Sequence, residues 1–245
     1  MHKAPVTVLL TRAEPDAGRT AQRLRKAGFR VVLSPLTQLR ITAPAKTIMA
    51  ALEPPATLIV TSGNALRALR AQGLAHLVEG RRVACVGGRT AGAMRRAGGR
   101  IVAVAPTAAR LADILRTTSG PLLHLAGRDR RPELTQAFQD RLEVLTLYAM
   151  EPVGTLRDHA LRQLQSGDID ALLLYSPRAA TLCEEAMRNT VMERPPAVFC
   201  LSEAVAEAAS AIPATTVRVA ANATEAALLA ELVMWTGATA GCKDV

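Results

Sequence analysis

Aromatic residues are scarce in this sequence. They account for 2% of its 245 residues, with one Trp, two Tyr and three Phe. Proteins that bind single-stranded nucleic acid stack bases on aromatic side chains, and this chain offers few such platforms. The formal net charge of +9 favours an anionic partner, but the arginines are spread along the chain without a dense basic tail. Charge alone does not choose between nucleic acid and a small polyanion, and the scarcity of aromatic residues weighs against nucleic acid.

Paired cysteines and metal-binding clusters are also lacking. The four cysteines are Cys85, Cys183, Cys200 and Cys242. Neither they nor the four scattered histidines show the spacing of a zinc site or of a C-x-x-C motif. Ordinary histidines and reduced thiols are the simplest interpretation. We therefore expect no metal site and a cytoplasmic protein.

Long apolar runs are missing as well. A membrane-spanning helix needs roughly 20 apolar residues, whereas the longest candidate, Ala226–Trp235, is interrupted by Glu231. The start of the chain has neither the apolar segment nor the small-residue cleavage site of a signal peptide. We expect no membrane partner. Residues 239–245 are predicted to form a loose tail.

Three motifs of cofactor and hydrolase sites are absent from the sequence. The segment Gly87–Gly92 does not match G-x-G-x-x-G, because Arg89 stands where the second glycine is required. The sequence contains no G-x-x-x-x-G-K-[ST] loop and no G-x-S-x-G elbow. We therefore expect no nicotinamide, flavin or ATP cofactor.

A strand-turn-helix pattern recurs along the chain. Leu58–Val60 is an apolar strand that runs into the turn Thr61–Asn64, and a helical pattern follows. The same design returns 114 positions later, where Leu172–Leu174 precedes the turn Ser176–Arg178. Strands that alternate with helices of about ten residues predict α/β architecture with parallel sheets.

The repetition extends beyond this pair of turns. Val31–Leu33 corresponds to Leu145–Leu147 at an offset of 114, and Gly87–Ala91 corresponds to Ser202–Ala206 at 115. Any two α/β stretches look somewhat alike, but here the turn residues recur together with the apolar residues. We infer a tandem duplication of a three-unit β/α module in a chain long enough for two domains.

The turns that precede helices are candidates for anion binding. Helix starts leave backbone N–H groups unpaired and carry partial positive charge, so they accept carboxylates or phosphates. Ser, Thr and Asn are also favoured there as plain N-caps, which is the preferred interpretation for any single turn. For the whole set, on two similar modules and at the ends of open parallel sheets, a shared anion site is the better interpretation.

Tyr148 is one of only two tyrosines and ends a predicted strand. Its phenol could act as a general acid, with an ordinary pKa near 10. A tyrosine in a core or interface, with its hydroxyl at the edge, is the alternative. From the residues alone this structural role is favoured.

These turns resemble those of uroporphyrinogen-III synthase, an enzyme family of tetrapyrrole biosynthesis. The resemblance runs in order over nearly the whole chain, and the ordered set is more specific than any single piece. The matching pieces are Val8–Arg12 with Pro15, Thr61–Ala65, Val86–Ala91, Leu147–Tyr148, Tyr175–Ala179 and Ala223–Glu225.

The resemblance implies two Rossmann-like or flavodoxin-like domains with parallel sheets, joined by a pair of extended linkers. Residues 1–35 and 151–245 would form the first, discontinuous domain, and residues 42–144 the second. Residues 36–41 and 145–150 would be the linkers. The turns of Ser62 and Ser176 would then face each other across a cleft and act as anchors for carboxylates.

The family's substrate is hydroxymethylbilane, a linear tetrapyrrole with eight carboxylates. The resemblance implies that this substrate loses its terminal hydroxyl and closes, through a spiro intermediate, with ring D inverted. No cofactor is implied, and a monomer is expected. Tyr148 would be the catalytic acid. The predicted substrate contacts are Thr11, Arg12, Ser62, Gly63, Asn64, Gly87, Thr90, Arg128, Ser176, Arg178 and Ser202.

One turn departs from the family pattern. The family usually repeats Gly-x-x-Thr-Ala, but this chain reads Ser202–Ala206 there, and Glu203 adds negative charge. The arginine-rich turn at 127–131 could offset that charge. A divergent two-lobed module that binds an anion and regulates a partner without catalysis is therefore an alternative function. Nucleic-acid binding through the positive charge is a further one.

Overall fold

The computed structural model of the protein describes residues 5–237. The tail predicted at 239–245 lies outside the described residues. The described chain divides into two compact units, one that runs up to Gln38 and resumes at Pro152, and one that spans Leu39–Glu151. Within residues 5–237, no helix is long and apolar enough to cross a membrane.

Strands and helices alternate along the described chain. The strands are β1 (Thr7–Leu10), β2 (Arg30–Leu33), β3 (Thr37–Ile41), β4 (Thr57–Val60), β5 (Arg82–Val86), β6 (Arg100–Ala105), β7 (Leu122–Gly127), β8 (Leu142–Pro152), β9 (Ala171–Leu174), β10 (Ala197–Cys200) and β11 (Val217–Val219). The helices are α1 (Asp16–Lys26), α2 (Ala45–Leu52), α3 (Gly63–Ala71), α4 (Gly88–Arg96), α5 (Ala108–Leu115), α6 (Glu133–Phe138), α7 (Asp158–Gln165), α8 (Pro177–Met187), α9 (Glu203–Ala208) and α10 (Glu225–Thr236), with a 3-10 helix at Ala75–Val78.

Each unit is built on one sheet with apolar cores on both faces. The first sheet has the parallel order β11-β10-β9-β1-β2. Its central strands are apolar at nearly every position, because helices cover both faces and each side chain is buried. The fold class predicted from the alternating pattern, α/β with parallel sheets, is confirmed.

The second sheet repeats the arrangement of the first. Its order is β3-β8-β7-β4-β5-β6, and β8 to β6 run parallel to one another. The five strands β8-β7-β4-β5-β6 correspond in position to β2-β1-β9-β10-β11 of the first sheet. Each sheet therefore combines two strands from one repeat with three from the other, as an internal duplication with exchanged first units predicts.

The segments predicted as linkers lie largely within strands. Residues 37–41 form β3, and residues 145–150 lie inside β8, its hydrogen-bonded neighbour. The strand predicted to end at Tyr148 in fact continues to Pro152. It lies beside β3 in the sheet, and at its end the N–H of Val153 donates to the carbonyl of Leu36 at 2.9 Å.

Candidate functional site

A cavity of about 510 Å³ opens at the carboxyl end of the second sheet. It lies beside the ends of β4 and β7, which are neighbours in the sheet although two strands separate them in sequence. The chain order of the strands reverses between β7 and β4, and this leaves a crevice at the ends of the two strands. Open parallel sheets bind ligands in such a crevice. Among the side chains that line the cavity are Thr61, Ser62, Asn64, His124, Arg130 and Tyr148.

Tyr148 reaches this cavity because β8 contains a bulge. Ala126 of β7 pairs with Thr146, but the next residue, Gly127, pairs with Tyr148, so Leu147 is an extra residue in the ladder. The N–H of Arg128 then donates to the carbonyl of Tyr148 at 2.8 Å. The bulge places the Tyr148 ring over Gly127 at the end of the strand.

Gly127 makes the room that the Tyr148 ring occupies. A Cβ atom at Gly127 would lie 2.9 Å from Cε2 and Cζ of Tyr148, and 3.1 Å from the phenol oxygen. The two shorter distances are ones that real Cβ atoms essentially never show, so any side chain at this position would displace the phenol. The position of the Tyr148 phenol therefore depends on the absence of a side chain at Gly127.

We expect Gly127→Ala to lower the free energy of unfolding by about 1–3 kcal/mol, the usual cost of overpacking a well-packed site. The expected loss is measurable by urea unfolding. Gly88→Ala is the matched control, because a Cβ at the start of α4 meets open space and should cost nothing. Equal stability of Gly127→Ala and the wild type would show that the ring can move away without penalty.

The phenol of Tyr148 is protonated in the folded protein. Its side chain is only 7% exposed. Burial raises the pKa of Tyr148 above its ordinary value of 10.0, and the neighbouring Ser62 side chain opposes this rise. A protonated phenol can donate its O–H to another group in the cavity.

Ser62 and Asn64 are held by the first turn of α3. The Ser62 hydroxyl caps the helix by accepting from the N–H of Asn64 at 3.2 Å. The Asn64 side chain accepts from Arg67 at 3.0 Å and donates to the sulfur of Met150 at 3.6 Å. The predicted turn is thus a conventional N-cap, and its Ser62 side chain lies close enough to affect the pKa of the Tyr148 phenol.

Sequence reasoning missed His124, which also lines the cavity. Its ring is 2% exposed, and its Nε2 lies 3.3 Å from the hydroxyl oxygen of Thr61. Burial, with a smaller contribution from the charge of Arg130, lowers the pKa of His124 from 6.5 to about 4. The one signal in the sequence is a histidine inside the apolar strand β7, which by itself indicates nothing about a cavity.

Charged side chains of both signs line the cavity. Arg130 and Arg131 line it, together with the carboxylates of Asp129 and Glu133. Arg128, a predicted contact, does not line it and instead pairs with Glu151 at 3.7 Å. The lining therefore holds two arginines and two carboxylates, and the predicted Arg128 is not among them.

Three other predicted contacts of this unit lie outside the cavity lining. Gly63 begins α3, and Gly87 has a positive φ of 80° at the N-cap of α4. The N–H of Gly87 donates to the carbonyl of Ala105 at 2.8 Å, so it is already used. Thr90 is buried in the first turn of α4. These positions shape the turns next to the cavity.

In the first unit, Arg12 belongs to an internal network at the end of β1. Its guanidinium lies 3.1 Å from a carboxylate oxygen of Glu225 and donates to Thr20 at 3.2 Å. It also stacks on the ring of Tyr175, 4.2 Å from the ring centroid. A second arginine, Arg23, pairs with the same carboxylate at 3.1 Å. A ligand anion at Arg12 would compete with Glu225.

The remaining predicted contacts follow the strands of the first sheet. Thr11 is buried after β1. Ser176 caps α8 by accepting from the N–H of Ala179 at 3.2 Å, and Arg178 is exposed in the first turn of that helix. Ser202 precedes the short helix α9, but its side chain makes no capping hydrogen bond. Its turn is the one that departs from the family pattern.

Clusters of metal-ligating side chains are not found in the described part of the chain. Among residues 5–237, no group of three or more His, Cys, Asp or Glu side chains is placed to hold a metal ion.

Comparisons with known proteins agree with the resemblance. A family model described as uroporphyrinogen-III synthase HemD matches residues 18–230. A selenomethionine-labelled mutant of uroporphyrinogen III synthase from the extremely thermophilic bacterium Thermus thermophilus matches in structure with a TM-score of 0.56 and 17% identity, over 96% of this chain and 100% of that chain. At this identity the match shows a shared fold.

Two further structures of uroporphyrinogen III synthase from Thermus thermophilus are similar over most of their length. The native wild-type protein has a TM-score of 0.44 and 17% identity, over 96% of this chain and 100% of that chain. The other has a TM-score of 0.43 and 16% identity, over 94% and 98%. A search of curated proteins gave no match.

Proposed function

The chain belongs to the uroporphyrinogen-III synthase family, and on this premise we propose that it converts hydroxymethylbilane to uroporphyrinogen III. The reaction releases water, closes the macrocycle and inverts ring D through a spiro intermediate. The observation that supports this most is the protonated Tyr148 phenol, held over Gly127 in a cavity lined by arginines.

Tyr148 would assist the first bond cleavage. The phenol donates its proton to the terminal hydroxyl of the bilane, the carbon–oxygen bond breaks, and the oxygen leaves as water. The pyrrole nitrogen supplies the electron pair, which gives an azafulvene. A raised pKa keeps the phenol protonated at neutral pH. Because such a phenol is a weak acid, it gives up its proton only in close contact with the leaving hydroxyl.

The later steps depend more on how the protein positions the substrate than on acidic or basic side chains. The last ring attacks through its already substituted carbon, and the spiro intermediate opens and recloses with that ring inverted. The proton that the ring loses when it regains aromaticity restores the Tyr148 phenol. Unassisted closure gives the uninverted isomer, so the protein must hold the chain in one conformation and exclude the simpler route.

Two arginines of the cavity lining can bind carboxylates of the substrate, although Asp129 and Glu133 line the same cavity. Arg130 and Arg131 line the cavity, and guanidinium groups bind carboxylates in well-defined geometry. The start of α3 adds backbone N–H groups, and a carboxylate there gains roughly 0.3–1 kcal/mol. Several modest contacts of this kind would hold a flexible polycarboxylate without one indispensable arginine.

The class of enzyme and its setting belong to the same proposal. Loss of water with ring closure makes the protein a lyase, and the steps above use only protein side chains, without a cofactor. We propose that it acts as a monomer in the cytoplasm. The buried, unpaired thiols of Cys85, Cys183 and Cys200 fit a reducing compartment.

The test is the isomer composition of the product. Purified protein is added to fresh hydroxymethylbilane, the products are oxidised to porphyrins, and the type I and type III isomers are separated by chromatography. We expect the type III isomer with protein and the type I isomer without it. A regulatory module without catalysis would bind the bilane but leave the type I isomer as the only product, and that result would refute the proposal.

A further inference from the structure

Thr61 and His124 form a polar pair on the wall of the cavity that contains Tyr148. Thr61 directly follows β4, and His124 lies on the adjacent strand β7. The imidazole Nε2 is 3.3 Å from the Thr61 hydroxyl oxygen. The other ring nitrogen, Nδ1, is buried and has no hydrogen-bond partner. The steps assigned to Tyr148 leave both residues without a role.

The unpartnered Nδ1 decides which nitrogen carries the proton. A neutral imidazole has one N–H donor and one acceptor nitrogen. Buried N–H groups without a partner are rarer than buried acceptors without one. The proton therefore lies on Nε2, and Nε2–H donates to the oxygen of Thr61. The hydroxyl proton of Thr61 is then directed away from the ring.

We propose that His124 is a positioning residue that fixes the Thr61 hydroxyl as a neutral hydrogen-bond donor to a carboxylate of the substrate. The inference rests on the proposed function, because that function supplies the carboxylate. Thr61 is partly exposed to the cavity that it lines, and His124 behind it is buried. Arg130 and Arg131 line the same cavity and attract an anion, and the carboxylates of Asp129 and Glu133 oppose that attraction.

The imidazole suits this role because it stays uncharged. With a pKa of about 4, His124 is neutral at the pH of the reaction. A doubly protonated ring would place a charge on Nδ1 without a partner. The pair thus orients one hydroxyl without adding a charge, and the arginines provide the electrostatic attraction.

The test compares KM and kcat in variants of the pair. We expect Thr61→Val and His124→Leu each to raise KM for the bilane about tenfold, since each removes or misdirects a hydrogen bond to a charged group. The kcat of both should stay within about twofold of the wild type. The double variant should be no worse than either single variant, because both changes disrupt one interaction.

Conservative variants separate positioning from simple support of the fold. His124→Gln keeps an N–H that can reach Thr61, and Thr61→Ser keeps the hydroxyl. Both variants should therefore have a KM near the wild-type value. Thr57→Val is the matched control: Thr57 is buried at the other end of β4 and does not line the cavity. Additive effects in the double variant, or no rescue by His124→Gln, would overturn the inference.

A binding measurement keeps this inference separate from the proposed function. Uroporphyrin III, the stable oxidised octacarboxylate, is titrated calorimetrically into wild type, Thr61→Val and His124→Gln. About tenfold weaker binding by Thr61→Val alone supports the inference even if no type III isomer is formed. Equal affinity of all three proteins overturns it, even if the wild type is a fully active synthase.

Discussion

Tyr148→Phe is expected to lower kcat for formation of the type III isomer about 100-fold, within the range of general acid catalysis. The phenylalanine ring would keep its place over Gly127 and in the apolar core, so the fold should be retained. What is lost is the phenol O–H, the proton donor. The measurement is the initial rate of type III isomer formation at saturating substrate, with circular dichroism to verify the fold.

The only other tyrosine of the chain provides the matched control. Tyr175 follows β9 in the first unit, and burial raises its pKa to about 12. Tyr175→Phe keeps the ring face on which Arg12 stacks, so turnover should change less than about twofold. If Tyr148→Phe lost less than about tenfold in kcat, Tyr148 would not be the principal acid. If both variants lost activity equally, the loss would not be specific to the cavity.

The wild-type protein is expected to lose stability through His124 as the pH falls. The folded-state pKa of about 4 lies below the ordinary value of 6.5, so the unfolded chain binds the proton more readily between these values. Stability is therefore fully present above pH 6.5 and is lost as pH falls from 6.5 toward 4. The full loss is about 3 kcal/mol, of which about 2 kcal/mol should appear between pH 7 and pH 5.

The comparison that isolates this effect is urea unfolding of wild type and His124→Gln at pH 7 and pH 5. Glutamine does not titrate, so the variant should lose about 2 kcal/mol less than the wild type over this interval. Leu125→Val, on the same strand, changes a buried side chain without a titratable group. It should lower stability equally at both pH values. The same pH dependence in wild type and His124→Gln would mean that the buried ring accepts its proton without penalty.

Local sequence patterns predicted the secondary structure well. The apolar runs at 58–60 and 172–174 are strands, and Ser62 and Ser176 cap the helices that follow them. These features depend on residues a few positions apart. An N-cap needs only one side-chain oxygen and the N–H groups of the next turn, so the residue type and its place in the pattern suffice.

The structure brings some of the predicted site residues together and not others, and their roles stay predictions. Tyr148, Ser62 and Asn64 do meet at one cavity, but Gly63, Gly87, Thr90 and Arg128 do not line it. The turns were judged by their residue types, and residue type does not show which strand ends are neighbours. His124 could not be recognised, because its low pKa results from burial by distant segments.

Sequence alone determined the alternation of strands and helices, the duplication, and the capped helix starts, at which anion binding stays a prediction. The pairing of β7 and β8 with β4, β5 and β6, and of β9, β10 and β11 with β1 and β2, was implied by the family resemblance and not by any local pattern. The tertiary structure shows it. It also decided the bulge that sets Tyr148 over Gly127. The physical reason is that sheet pairing, register and burial depend on contacts between residues far apart in the chain, which local propensity does not specify.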